Sequence, residues 1–372
     1  MKYNLADHPF FEPLTDKITG ITSYVLTKRV AEIQQGFYFV NPSLSADGEW
    51  LWFNCAFPPS PGKSLGVVSM NPSRPEIFHF PETQFSTETP LIAPEVNAVY
   101  YCQGPHIYKK TIGQKPVVVC TVDPADIAQR CLYGLATHLT LSADGKLLLV
   151  DAEIGNTWSI GVADIATGKI RMLHEFPRKY NHAQFSPHDP DLFMMAEDWY
   201  YDRVSGRHVP FDHRTWLMNV SQTRFELVHP KDWVQHNSYG CHEWWSHEGN
   251  ILWVDYDRGV FEYNLKTEQT THIWKRSLCH AHCDAAARYF CADESPYRWD
   301  KEDCAVKFFD RATGRDIDIA VLPKPAYERR AYHLDPHPHF STAGDCIIYT
   351  TTARGMIDVA ITDAQMLVSL LS

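Results

Sequence analysis

Histidine recurs in this chain four residues ahead of a Ser or Asp. His138 precedes Ser142, His182 precedes Ser186, His242 precedes Ser246, His280 precedes Asp284 and His337 precedes Ser341, with Asn41 in the same place before Ser45. Imidazole is both a ligand for divalent transition metals and a proton acceptor near neutral pH, so its recurrence in one slot points to a metal site or an acid–base site. The last copy is the densest: Tyr332-His333-Leu334-Asp335-Pro336-His337-Pro338-His339-Phe340-Ser341, with His282 a further imidazole beside the slot at His280. A lone histidine is more often a hydrogen-bonded structural residue. The repetition is what favours a site.

A repeated β-unit must position these imidazoles. Each slot residue heads an apolar stretch that runs into a Ser-x-Asp-Gly type turn: Ser45-Ala46-Asp47-Gly48 before Leu51-Trp52-Phe53, Ser142-Ala143-Asp144-Gly145 before Leu147, Ser246-His247-Glu248-Gly249 and Ser341-Thr342-Ala343-Gly344, with Ser186-Pro187 and Asp284-Ala285 as relatives. A second turn, Asp-x-x-Thr-Gly, is kept at Asp164 to Gly168 and at Asp310 to Gly314, and Asp202 to Gly206 is related. The stretches between are short and rich in Val, Ile, Tyr, Phe and Trp, the composition of strands. Residues 86 to 123 read as one degenerate unit around Ala98-Val99-Tyr100-Tyr101, which brings the count to seven. Helical patterns are confined to short pieces near Pro124 to Cys131 and at the C-terminus. Four-stranded units of about 40 to 50 residues predict an all-β, seven-bladed β-propeller, one domain over 1–372, with Asp16 to Lys28 supplying a last strand that closes the ring. A pair of β-sandwiches is the alternative, and it does not account for the recurring slot.

Composition narrows the function. The chain has 372 residues, 44% hydrophobic and 21% charged, which is globular. A net charge of −11 argues against nucleic acid as a partner, since phosphate binding needs a basic surface, yet leaves room for a small anionic ligand at a local cluster of cations. No apolar run is long enough for a membrane helix. Met1 to Pro13 holds Asp7, His8 and Glu12 and no basic n-region with an apolar core, so a cytoplasmic protein is expected. The ten cysteines show no CxxC pair and read as reduced residues rather than disulfides or a zinc site.

Four segments carry a resemblance: Gly240-Cys241-His242-Glu243-Trp244-Trp245, Arg214-Thr215-Trp216-Leu217-Met218-Asn219, His182-Ala183-Gln184-Phe185-Ser186-Pro187 and Asp335 to Ser341. In order, over most of the chain, the pattern resembles the oligogalacturonate lyases, seven-bladed intracellular propellers that cleave short pectin fragments by β-elimination with a manganese ion. That resemblance implies His242 as general base, Arg214 as partner of the substrate carboxylate, and His182 and Gln184 as contacts to substrate hydroxyls. For His242 the alternative is a metal ligand or substrate contact, for Arg214 a salt bridge, and for His182 and Gln184 a tie between strands. The chemistry is coherent, because removal of a proton α to a carboxylate requires the spreading charge to be neutralised.

The resemblance also implies a metal held by a histidine of one repeat, which falls on His280, and by a Gln-x-x-His-x-His run of the next. Here the run departs from the pattern. Aligned without a gap on its Phe-Ser end, it puts His337 and Asp335 at the two histidine positions and Tyr332 at the glutamine, with His333 adjacent; aligned on His337-Pro338-His339 it puts Leu334 at the glutamine. The ungapped version gives His280, His333, Asp335 and His337 around the metal, with residues 333, 335 and 337 expected on one face of an extended strand. Imidazole and carboxylate ligands suit Mn2+, with zinc, nickel and iron as alternatives. The expected partner is a short uronate oligosaccharide, galacturonate or, given the changed ligand run, glucuronate; the oligomeric state is left open. A non-catalytic propeller that binds other proteins is the competing reading.

Overall fold

The computed structural model describes residues 1–228, 240–294, 299 and 302–371. The turns seen in the sequence start the local structure. In the first Ser-x-Asp-Gly turn the Ser45 hydroxyl donates to Asp47 Oδ1 at 2.6 Å and accepts from the Trp50 N–H at 3.0 Å. Ser142 repeats this with Asp144 at 2.8 Å and Leu147 at 3.0 Å. Gly48 and Gly145 both sit at φ 72°, a left-handed conformation that costs glycine nothing. The Asp-x-x-Thr-Gly turns work alike: Asp164 Oδ1 accepts from the N–H groups of Ala166 at 2.9 Å and Thr167 at 3.0 Å.

Two compact units divide the chain. The first comprises residues 1–86, 252–262 and 270–372. It holds two antiparallel meanders, Ile33–Gln35, Trp50–Ala56, Lys63–Ser69 and Ile77–Phe85, then Ala281–Cys283, Tyr289–Asp293, Cys304–Asp310 and Arg315–Leu322. Its third sheet has five strands in the order Phe11–Thr15, Thr22–Leu26, Asp358–Asp363, Cys346–Thr351, His339–Phe340, with Tyr24 opposite Ile361 and Val25 opposite Ala360. The N-terminal strand is thus built onto the sheet of the last repeat. Buried contacts back that pairing, since Tyr349 Oη donates to Ser23 Oγ at 2.8 Å.

The second unit comprises residues 87–251 and 263–269. It contains the meander Tyr180–Phe185, Leu192–Glu197, Thr215–Asn219, Phe225–Leu227, the hairpin Tyr200–Tyr201 with His208–Val209, and one sheet of nine strands. A further four-stranded sheet, Gly240–Trp245, Ile251–Asp255, Gly259–Asn264 and Gln269–Lys275, has residues in both ranges. The nine-stranded sheet is a departure from the expected repeat. The units expected at residues 86 to 123 and from His138 merge, because the edge strand Val117–Val122 runs parallel to Lys169–Phe176, with Thr121 opposite Lys169. An edge strand has unpaired N–H and C=O groups, and this pairing satisfies some of them.

The structure is therefore all-β and propeller-like in its sheets: five of four or five strands and one of nine. Neighbouring strands follow chain order within each meander, unlike the crossovers of the Greek-key sandwiches weighed above. Middle strands are buried on both faces; every residue of Lys63–Ser69 is buried. The helical stretches read from the sequence are Pro124–Ile127 and Ala364–Leu371. Among the described residues no helix is long and apolar enough to cross a membrane. All ten cysteines are free, and only Cys131 is exposed.

Replacing Ser142 by Ala removes both side-chain hydrogen bonds of its turn, to Asp144 and from the half-buried Leu147 N–H, so Ser142→Ala is expected to cost about 1 kcal/mol in urea denaturation.

Candidate functional site

Four side chains of the first unit converge. One ring nitrogen from each of His280, His333 and His337 and a carboxylate oxygen of Asp335 lie within 4.8 Å of one another. Ligands about 2.0–2.2 Å from one ion stand at most about 4.4 Å apart, so these donors need to close by only a few tenths of an ångström. His280, Asp335 and His337 are buried and His333 is half-buried. The residue types, neutral nitrogen and anionic oxygen donors, fit a divalent transition metal.

The backbone that gathers them is not the extended strand expected. Arg329–Tyr332 is a short helix, and His333 is its C-cap at φ 50°, with its N–H donating to Arg329 O. His337 is also left-handed, at φ 46°, and strand pairing begins only at His339. Pro336 and Pro338 flank His337 and have no N–H for a ladder, which is why the strand cannot extend back through it. Arg329 closes the loop, its Nη1 donating to both Asp335 oxygens at 2.9 Å. Burial raises the Asp335 pKa, and His280, His333 and Arg329 oppose that rise.

Asp293 lies behind this group. Its Oδ1 accepts from the His280 backbone N–H at 2.8 Å and its Oδ2 from the His337 N–H at 3.1 Å, while His280 Nδ1 stands 3.0 Å from Oδ2. Burial pushes the Asp293 carboxyl up to about 8 against those backbone donors, and pushes the His280 imidazole down to about 3, so that ring is neutral. Tyr38 covers the group, its ring centroid 5.1 Å from that of His337 and 5.8 Å from that of His333. His282 and His339, the remaining imidazoles of this region, are structural. Phe340 N–H donates to His282 Nδ1 at 3.2 Å, and His339 accepts from Ser43 N–H at 3.1 Å while bonding the His337 carbonyl at 3.0 Å.

The second unit holds another imidazole group. His182 and His242 have φ of 50° and 52°, which costs a non-glycine residue about 1–2 kcal/mol. Strained backbone of this kind concentrates at functional sites. At His182 the register slips between Asn181 and Gln184, and such a bulge re-aims a side chain out of the strand's alternation. The ring of His138 lies 5.5 Å from that of His182. Burial, then the charges of Arg214, His138, His242 and Lys179, hold His182 far below the ordinary imidazole range. His242 is half-buried in the strand Gly240–Trp245, its Nδ1 3.5 Å from Cys241 Sγ.

Two expectations change here. Arg214 does not present a forked edge to a ligand: Nε and Nη2 donate to Glu243 at 2.8 and 3.3 Å, and Nη1 donates to Asp198 at 2.9 Å. A buried guanidinium requires such partners, and both carboxylates came from positions the motif comparison did not weigh. Gln184 is likewise a tie between strands, its Nε2 donating to the Glu243 carbonyl at 2.7 Å. Of the aromatic residues in this unit, Trp244 is core and Tyr200 packs on Trp158 at 4.3 Å, whereas Trp199 is 47% exposed with Lys179 Nζ 5.8 Å from its ring centre.

Asp293, Arg329, Tyr38 and Glu243 were missed from the sequence. One signal was there for Asp293. An Asp stands thirteen residues after three slot histidines, at 151, 255 and 293.

No protein-family model and no curated protein matches the sequence significantly. Solved structures do. An oligogalacturonate lyase in complex with manganese superposes with a TM-score of 0.73 at 17% identity, over 95% of this chain and 96% of that one. The oligogalacturonate lyase of Vibrio parahaemolyticus superposes with 0.76 at 18%, over the same 95% and 96%. The chain has the fold of these lyases. It is the fold that the motif resemblance implied, reached without the motifs.

The Arg214–Glu243 pair makes a stability prediction. Burial raises the Glu243 pKa, but Arg214 overrides it and the carboxyl titrates below its ordinary 4.5. Its contribution is therefore present above that value and lost as pH falls through the lower folded value. Arg214→Gln leaves a buried carboxylate without its cation and is expected to cost about 3–5 kcal/mol at pH 7. In urea denaturation the gap to wild type should narrow toward pH 4, as Glu243 of the variant takes up a proton.

Proposed function

We propose that this chain is a metal-dependent lyase that cleaves short uronate oligosaccharides by β-elimination. The observation that carries the reading is the convergence of His280, His333, Asp335 and His337 within 4.8 Å in a chain with the fold of oligogalacturonate lyases. In this reading the sheets are blades of one seven-bladed propeller over 1–372, the nine-stranded sheet counts as two, and Thr22–Leu26 completes the last. A cytoplasmic location accords with a substrate of short fragments.

His280, His333, Asp335 and His337 are assigned to hold the metal, with Mn2+ first among the candidates because one of the structural neighbours was solved with manganese. When bound, a divalent ion polarises the substrate carboxylate and so acidifies the α-proton. His242 is assigned the removal of that proton. The C–H electron pair becomes the new C=C bond, and the C–O bond to the leaving sugar breaks, its oxygen taking a proton from water. His182, held neutral, is suited to accept or donate a hydrogen bond with a sugar hydroxyl. Gln184 keeps to its strand tie and Arg214 to its ion pairs with Glu243 and Asp198, so neither is assigned a direct contact with substrate. Trp199 offers an exposed face for a neighbouring sugar ring, and Lys179 beside it a cation for a second uronate.

The departure of the ligand run, with Asp335 and His333 in place of the family's His and Gln, favours testing glucuronate-containing fragments beside galacturonate ones. Incubation of Mn2+-loaded protein with a panel of such oligosaccharides is expected to raise the ultraviolet absorbance of a conjugated product, with chromatography to catch its conversion to a keto sugar. His242→Ala is expected to lower kcat by about 10²–10⁴ while leaving Mn2+ affinity unchanged. His337→Ala should abolish stoichiometric Mn2+ binding in calorimetry. Absence of cleavage with any of manganese, zinc, nickel or iron, together with wild-type behaviour of His242→Ala, would sink the lyase reading in favour of a non-catalytic interaction propeller.

A further inference from the structure

We propose that Asp293 is a positioning residue of the metal group, fixing the His280 tautomer and the placement of His337 at once; this rests on the metal reading above. Two backbone N–H groups and one ring nitrogen converge on one carboxylate. Oδ1 takes the His280 backbone N–H at 2.8 Å, Oδ2 takes the His337 backbone N–H at 3.1 Å, and the His280 ring contributes Nδ1 at 3.0 and 3.2 Å from the two oxygens. Both oxygens accept from fixed backbone donors, and the ionised carboxylate meets Nδ1 as an acceptor. In that form Nδ1 carries the proton, and the lone pair of the imidazole lies on Nε2. A ligating histidine is characteristically held in this way, by a carboxylate on its other nitrogen.

The rest of the fold shows that this is an adaptation of a structural device. Asp151, thirteen residues after His138, occupies the corresponding place in another sheet and makes the same pair of backbone bonds, from Thr137 N–H at 2.8 Å and Ala183 N–H at 3.4 Å. Its third donor is the Thr137 hydroxyl at 2.8 Å. In the sheet of Asp293 an imidazole stands where Asp151 has a hydroxyl. Asparagine retains one acceptor and turns an N–H donor toward the other N–H groups, so Asp293→Asn cannot serve both ligands.

The test uses Mn2+ alone as probe, with calorimetry and ¹⁵N NMR of histidine-labelled protein. In metal-free wild type at about pH 9, where Asp293 is ionised, the His280 ring, assigned by its loss in His280→Gln, should be protonated on Nδ1. Asp293→Asn is expected to lose about 10- to 100-fold in Mn2+ affinity. Asp151→Asn, which alters the same structural bridge without an imidazole, should stay within about twofold of wild type, separating the role from general stability. The proposal is overturned if wild-type His280 is protonated on Nε2 at that pH, a measurement that stands even where the variant fails to fold. It is also overturned if Asp293→Asn binds Mn2+ as wild type does. If wild type itself takes up no divalent ion, the metal reading falls first and takes this role with it.

Discussion

A side chain from the second strand of a sheet that accepts backbone N–H groups from strand-leading segments is the interaction on which the arrangement of imidazoles depends. Leading segments here adopt left-handed or bulged backbone, at Ala136, His182, His242 and His337 among others, which interrupts the regular ladder. A buried N–H without an acceptor costs free energy comparable to a lost hydrogen bond, so an acceptor has to be brought to it. Asp151 serves Thr137 and Ala183, Asp293 serves His280 and His337, and Thr350 Oγ1 accepts from Gly36 N–H at 3.2 Å. Each acceptor lies thirteen residues after a slot histidine. The repeat therefore specifies the turn, the slot and the group that tolerates the slot's irregular backbone.

Burial then sets the chemistry. Imidazoles removed from water lose their charge, as the depressed values of His138, His182 and His280 show, and only a neutral ring can ligate a metal or accept a proton. The two units surround such rings differently. In the first, carboxylates of Asp335 and Asp293 face them; in the second, the cations Arg214 and Lys179 do, themselves tied to Glu243 and Asp198.

Much of this was legible in the residues. The turns, the slot and the β-class followed from recurrence, because a repeat states one local solution several times, and the four converging side chains were named by the family resemblance. What was hidden is what occurs once. The helix Arg329–Tyr332 with its His333 cap replaced the extended strand assumed for residues 333 to 337, although Pro336 and Pro338 were a warning against ladder pairing. Arg214 carried a plausible catalytic type, yet its partners Glu243 and Asp198 lie 29 and 16 residues away in sequence, and neither spacing recurs. Long-range ion pairs leave no periodic trace.

The changed ligand run has an electrostatic consequence. Substituting a carboxylate for a neutral donor would ordinarily add negative charge to a metal site and lessen its attraction for an anionic substrate. Here Asp335 is matched by Arg329, whose Nη1 meets both of its oxygens, so the pair carries no net charge. The three imidazoles contribute none as ligands. On the metal reading proposed above, a divalent ion in this set would keep most of its charge. Arg329 and Asp335 must therefore be read together, since loss of either alone would shift the charge of this group by one unit.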